Sequence, residues 1–129
     1  MYQTTSSMIP RLSPELYCDP KWHDADLLRL RQSGWQLVGT TSQLEFSGDY
    51  LAYDVLGIPV VIRRFDNQLV GFRNVCAHRH CQLVKEGLGR TDELKCRYHG
   101  WQYGSDGRTR RIPAAKNFPQ FDREEHRLE

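Results

Sequence analysis

Cys76-Ala77-His78-Arg79-His80-Cys81-Gln82-Leu83 and Cys96-Arg97-Tyr98-His99-Gly100-Trp101 are the two stretches on which the reading of this chain turns. Each sets one thiol beside one imidazole, Cys76 with His78 and Cys96 with His99, and seventeen residues lie between the pairs. The ligand types are interleaved, not segregated. A [2Fe–2S] cluster with both cysteines on one iron and both histidines on the other accommodates such a set, because each loop then reaches both irons. Tetrahedral zinc on Cys₂His₂ is the competing reading. Against it, zinc sites usually begin with a Cys-x₂₋₄-Cys knuckle and follow with a histidine pair, whereas each pair here is mixed and the first has a single intervening residue. A third reading, four unrelated core residues, leaves the coincidence of two such pairs with neighbouring glycines unexplained.

Outward from these loops the texture is that of short strands. Trp35 to Thr41, Tyr50 to Leu56, Pro59 to Phe65 and Gln68 to Val75 are rich in aliphatic and aromatic residues and are punctuated by Ser47-Gly48-Asp49, Gly57 and Asp66-Asn67. Asp66-Asn67 suits a two-residue hairpin loop. Further strands are expected over Glu93 to Arg97 and Trp101 to Tyr103, with a turn at Ser105-Asp106-Gly107. Both ligand pairs then fall just after strands, and Gly87, Gly89 and Gly100 are expected to let the backbone approach the metal. Before Gly34, Ser13-Pro14 and Asp19-Pro20 read as helix starts. Apolar spacing with Gly34 as the stop predicts one helix from Pro20 to Ser33. The tail Pro113 to Glu129 has two prolines, few aliphatics and dense charge, and is expected to be an extended arm or linker.

The motif resembles the Rieske signature, Cys-x-His followed by Cys-x-x-His, and the likeness extends further. Cys76 to Leu83, Cys96 to Tyr103, Asp106-Gly107-Arg108 with Ile112-Pro113, the helix leading into Gly34-Trp35-Gln36-Leu37-Val38-Gly39, Gly48-Asp49-Tyr50 and Lys116-Asn117-Phe118-Pro119 are similar to the N-terminal domain of ring-hydroxylating oxygenase large (alpha) subunits. The resemblance implies a mostly β fold, an antiparallel Rieske-type sandwich with cluster-binding loops and a short N-terminal helix. It divides the chain into an arm and helix over 1–34, the cluster domain over 35–112, and an arm over 113–129 leading toward a catalytic domain that this chain lacks.

For the site, the resemblance implies a Rieske [2Fe–2S] cluster on Cys76, His78, Cys96 and His99, with Arg79, Leu83, Gly100, Trp101 and Tyr103 around it. Leu83 and Trp101 would shield the cluster. Tyr103 would donate a hydrogen bond toward a cluster cysteine, although a plain core tyrosine fits the sequence nearly as well. Histidine ligation leaves the cluster less negative than four thiolates would, which eases addition of an electron, so one-electron transfer is the expected chemistry. The free ring nitrogens should sit at an exposed edge. Respiratory-type Rieske proteins join two further loop cysteines in a disulfide; here Cys81 has Tyr98 opposite it, and Trp101 stands in place of a serine that bonds a cluster sulfur. A potential toward the low end of the Rieske range follows.

The mononuclear Fe(II) of a Rieske oxygenase, held by two histidines and a carboxylate, belongs to its catalytic domain. Beyond the four ligands only His23, His80 and His126 remain, with no His-x₄-His pair. His80 is expected at the surface, and His23 and His126 are expected to be solvent-facing or capping. No catalysis is expected from this chain alone. It reads as the electron-transfer part of a mono- or dioxygenase; the alternative is a free-standing Rieske ferredoxin carrying electrons from a reductase to an oxygenase. Implied partners are a reductase or ferredoxin donor and the oxygenase catalytic domain, within a homo-oligomer. Arg79 is the favoured docking residue, while Arg108, Arg110, Arg111 and Lys116 read as a solvated face.

Composition agrees with a soluble globular domain: 129 residues, 39% hydrophobic, 26% charged, net charge +2. That charge is too small to argue for nucleic acid. No run approaches the length needed to span a bilayer, and Met1 to Leu12 has no apolar targeting core, so no membrane partner and a cytoplasmic location are expected. Cys18 and Cys81 are expected to remain thiols.

Overall fold

The computed structural model describes residues 11–129 and divides at Gln36 into two units. The first holds α1 (Glu15–Cys18) and α2 (Pro20–Ser33). Asp19 starts α2 by accepting from the Lys21 amide at 3.0 Å, with Pro20 at the first helical position. The helix ends at Gly34 and buries none of its residues. Ser13 does not cap α1: Pro14 occupies that position with no side-chain cap. Among the described residues no helix is long and apolar enough to cross a membrane.

The second unit, residues 37–129, is built on two antiparallel sheets. The larger contains β1 (Asp49–Val55), β2 (Ile58–Phe65), β3 (Gln68–Arg73) and β4 (Gly87–Arg90), in the order β3-β2-β1-β4. The smaller is β5 (Leu94–Lys95), β6 (Gln102–Tyr103) and β7 (Thr109–Arg111) in sequence order. Asp66-Asn67 turns β2 into β3, with Phe65 opposite Gln68. Alternation in β1–β3 directs Tyr50, Ala52, Val61 and Phe72 into one core, which they share with Cys76, Leu83, Leu94, Cys96, Trp101, Tyr103 and Leu128. Both ligand loops are thereby anchored in the same apolar layer as the large sheet.

Three expectations need correction. Trp35 to Thr41 is not a strand. Trp35 and Leu37 are almost fully exposed, and the segment runs into a 3₁₀ turn over Thr41–Gln43 whose capping box joins Thr40 and Gln43. Gly87 and Gly89, expected to let the backbone approach the metal, lie in β4, which pairs with β1, and the Tyr50 ring occupies the space a side chain on Gly89 would need. That glycine serves sheet packing and not approach to a metal. Finally, the tail is not a free arm. Leu128 is buried, its amide donates to Gly107 O at 2.8 Å, and the Arg73 amide donates to Glu129 O at 2.7 Å, so residues 113–129 return to both sheets.

Candidate metal centre

The two ligand loops close by the same pair of main-chain hydrogen bonds. In the first, Cys76 O accepts from the His80 amide and the Cys76 amide donates to Cys81 O, both at 2.8 Å. In the second, Cys96 O accepts from the Gly100 amide at 2.9 Å and the Cys96 amide donates to Trp101 O at 2.8 Å. The residue four beyond each cysteine is left-handed, with φ of 54° at His80 and 73° at Gly100. The loops differ in where the imidazole sits: two residues past Cys76, three past Cys96.

This frame brings the four candidate ligands together as two pairs. Cys76 and Cys96 are buried free thiols within hydrogen-bonding reach of each other. The His78 and His99 rings lie edge to face, 4.8 Å between centroids. Among the described residues no three His, Cys, Asp or Glu side chains converge on one ion position. A thiol pair beside an imidazole pair is the division a two-iron cluster requires, whereas a single zinc needs all four around one point. His78 Nδ1 is buried with no hydrogen-bond partner, a cost that a metal bond would remove. The residues present therefore fit a [2Fe–2S] cluster.

The protonation states follow from burial. It pushes the Cys76 thiol above its ordinary range, with Cys96 adding to the shift and the Tyr103 hydroxyl opposing it. His78 is held below the ordinary imidazole range, first by burial and then by His99, Arg79 and His126, which favours the neutral, ligating form. Burial likewise raises Tyr103, so its hydroxyl keeps its proton. The Ala77 amide donates to Tyr103 Oη at 3.1 Å, and Oη lies 3.0 Å from Cys76 Sγ. Either group can donate in that contact while Cys76 keeps its proton; once the sulfur is a thiolate, the Tyr103 hydroxyl is the donor.

Around this centre Leu83 is buried in the shared core and Arg79 is exposed. Trp101 is buried and stacks flat on His78, with centroids 4.5 Å apart and planes 3° from parallel. Cys81 remains a free thiol, as does the exposed Cys18. His80 is exposed, as expected, and its backbone is left-handed, a conformation that favours glycine. Arg108 and Arg110 pair with Asp106, and Arg108 also with Glu124, so part of the basic group is neutralised locally.

Two contributors escaped the sequence reading. Buried Asn74 donates to Val84 O at 2.9 Å and accepts from the Val84 amide at 3.0 Å, tying the base of the first loop. Its only signal was a polar residue at an inward position of an apolar run. His126, expected to face solvent or cap, instead packs on Trp101 and Phe121, held by Nδ1 at 3.0 Å from Asp122 O. With His78, Trp101, Phe118 and Phe121 it lines a cavity of about 330 Å³. No local pattern announced this, because it depends on the tail folding back.

Residues 34–122 match the Rieske [2Fe-2S] domain. The chain belongs to that family. The alpha subunit of chlorobenzene dioxygenase from Cupriavidus sp. (strain PS12) is 32% identical over 117 residues, covering 89% of this chain and 26% of that protein. Chloroplastic choline monooxygenase from Arabidopsis thaliana is 33% identical over 106 residues, covering 79% and 25%. Among solved structures, a quaternary ammonium Rieske monooxygenase in complex with L-carnitine superposes with a TM-score of 0.80 at 27% identity, over 88% of this chain and 33% of that one. This Rieske domain spans about a quarter of the length of the curated relatives. Its antiparallel architecture is shared with that solved monooxygenase, and the chlorobenzene dioxygenase relative is an alpha subunit.

Proposed function

We propose that this domain transfers single electrons through a [2Fe–2S] cluster held by Cys76 and Cys96 on one iron and by His78 and His99 on the other, as the electron-transfer part of an oxygenase. The observation that carries this reading is the division of the four side chains into a buried thiol pair and an imidazole pair. When bound, the cluster supplies reversible one-electron chemistry. The chain contributes everything else. The Cys76 and Cys96 thiols give up their protons on loading, so assembly is favoured as pH rises. Tyr103 offers a hydrogen bond to the Cys76 sulfur that strengthens as negative charge accumulates there. Leu83 and Trp101 keep water from the buried side.

The mononuclear iron that would use these electrons lies outside this chain, in a catalytic domain of the same oxygenase. Electrons come from a reductase or ferredoxin, and the working oxygenase is a homo-oligomer in the cytoplasm. Supporting this context, the match to oxygenase alpha subunits extends over most of the chain, and one solved relative is described in terms of inter-subunit electron transfer. The test is iron and acid-labile sulfide analysis of anaerobically purified protein, with an EPR spectrum after dithionite reduction. Iron and sulfide in a one-to-one ratio and the low average g of a histidine-ligated cluster are expected. Zinc with no sulfide and no signal would overturn the assignment.

A further inference from the structure

Among the described residues Arg63 is the one buried cation. It is 3% exposed and lies on the face of β2 that Val61 turns to the core. Its guanidinium sits 4.3 Å from the Phe65 ring centroid, and Nη2 donates to Thr91 O at 2.7 Å and to Asp92 O at 3.0 Å. Nε is buried with no partner. None of these neighbours is an anion. Burial lowers the proton affinity of the group, Asp66 and Asp92 oppose that through space, and a guanidinium stays charged even so. Among the described residues no carboxylate is ion-paired with it, whereas Arg73, Arg90, Arg108, Arg110 and Arg127 each have one. The turn it holds leads into β5 and so to Cys96. Thr91, Asp92 and Tyr50, the β1 neighbour of Arg63, line one cavity with Cys96 and Gly100. That turn has ties of its own: the Thr91 amide donates to Gly48 O at 3.0 Å and the Thr91 hydroxyl to Glu93 O at 2.7 Å.

We propose that Arg63 is a redox-positioning residue: a fixed positive charge behind the second ligand loop that favours the reduced cluster over the oxidised one. The proposal rests on the electron-transfer reading above and adds the residue whose charge sets the balance between the two states. Two thiolates and two neutral imidazoles leave a [2Fe–2S] core with both irons ferric neutral overall, and one added electron makes it negative. A cation is nearly indifferent to the first state and attracts the second. Inside the protein that attraction is stronger than in water and is little screened by salt. Holding a buried charge without a counter-ion is otherwise costly, so an anion gained on reduction is what its surroundings lack. Arg90 supplies the contrast. It lines the same cavity, but its side chain is 57% exposed and it is paired with Asp49.

The test is spectroelectrochemical titration of the cluster-loaded chain at low and high salt, with iron, sulfide and the reduced EPR spectrum recorded for each variant. Arg63→Gln and the apolar Arg63→Met should each reduce the ratio of reduced to oxidised protein at a fixed applied potential about tenfold, a downward shift of about 60 mV for one electron. The shift should persist at high salt. Arg63→Lys, which keeps the charge, should return most of it. Arg90→Gln removes the same formal charge from an exposed pair, so its shift should be smaller and should fade as salt is added. An unchanged or raised potential in both neutral variants would overturn the proposal, as would a lysine variant as low as they are. Failure of both neutral variants to load, with the lysine variant loading, would assign Arg63 to holding the turn and overturn the charge role. Absence of sulfide and of an EPR signal in the wild-type sample would instead overturn the electron-transfer reading itself.

Discussion

Loops 76–81 and 96–101 share one backbone plan and differ by one residue in where the histidine falls. Each cysteine accepts from the amide four residues on and donates to the carbonyl five residues on. Moving the imidazole from the second to the third position after the cysteine puts His78 against buried Trp101 and His99 against exposed Tyr98. One ligand imidazole thus lies on a buried ring and the other beside an exposed one, although the chain closes both loops in the same way. The asymmetry of surroundings here goes with a one-residue offset on a repeated frame, not with two different folds.

The comparison can be broken most directly at the cysteines. Cys76→Ser and Cys96→Ser should each abolish cluster loading, measured as iron and sulfide per chain, because the proposed cluster would need both thiols on one iron. Cys81→Ala should load normally, and loss of the cluster there would mean that the loops have been paired wrongly. Next in size is Gly100→Ala. Its φ of 73° costs a side chain about 1–2 kcal/mol, and the new Cβ would lie 3.0 Å from Pro113 Cγ, so urea unfolding should show a loss of about 2 kcal/mol. A neutral result would contradict the shared left-handed closure.

Tyr103→Phe probes a contact made by the first loop alone. Removing the hydroxyl takes a hydrogen bond from the Cys76 sulfur and leaves the Ala77 amide without its acceptor. Spectroelectrochemical titration should find a lower potential, by about 60 mV for each ~1.4 kcal/mol of differential stabilisation lost. The smallest effect is expected at His80→Gly. Relief of a left-handed side chain, about 1–2 kcal/mol, is partly offset by the entropy glycine adds to the unfolded state, leaving a gain of about 0.5 kcal/mol in the unfolding free energy. Destabilisation would show that the His80 side chain holds the loop in some other way.

Much of this was legible because the signals were local. Helix α2 runs from Pro20 to Ser33 as the Asp19-Pro20 start and Gly34 stop require, and β1–β3 follow their aliphatic runs to within two residues. The four candidate ligands stand out by type and spacing. What could not be read locally depends on distant partners. The segment Gly87-Leu88-Gly89-Arg90 lacks the β-branched residues of a strand and becomes one because β1 offers it a free edge. Trp35 and Leu37 look like strand residues, yet stay exposed. Polar, proline-containing residues 113–129 return to the core through a few contacts, with Thr109 Oγ1 donating to His126 O at 2.6 Å and Leu128 filling the layer below. Buried Arg63, whose Nη2 donates to Thr91 O at 2.7 Å and Asp92 O at 3.0 Å, would read from sequence as a surface charge; it fixes the turn leading to Cys96 from a strand thirty residues earlier.

The stack of Trp101 on His78 also gives the molecule an internal optical reporter. Of the three tryptophans, Trp101 is 3% exposed, while Trp22 and Trp35 are 40% and 100% exposed. A soluble quencher therefore silences the emission of the two exposed indoles first. The light that remains comes from a ring in van der Waals contact with a candidate ligand, where an iron–sulfur chromophore would drain it. Residual fluorescence becomes a continuous readout of how much of the protein is loaded, with no label added and no residue changed.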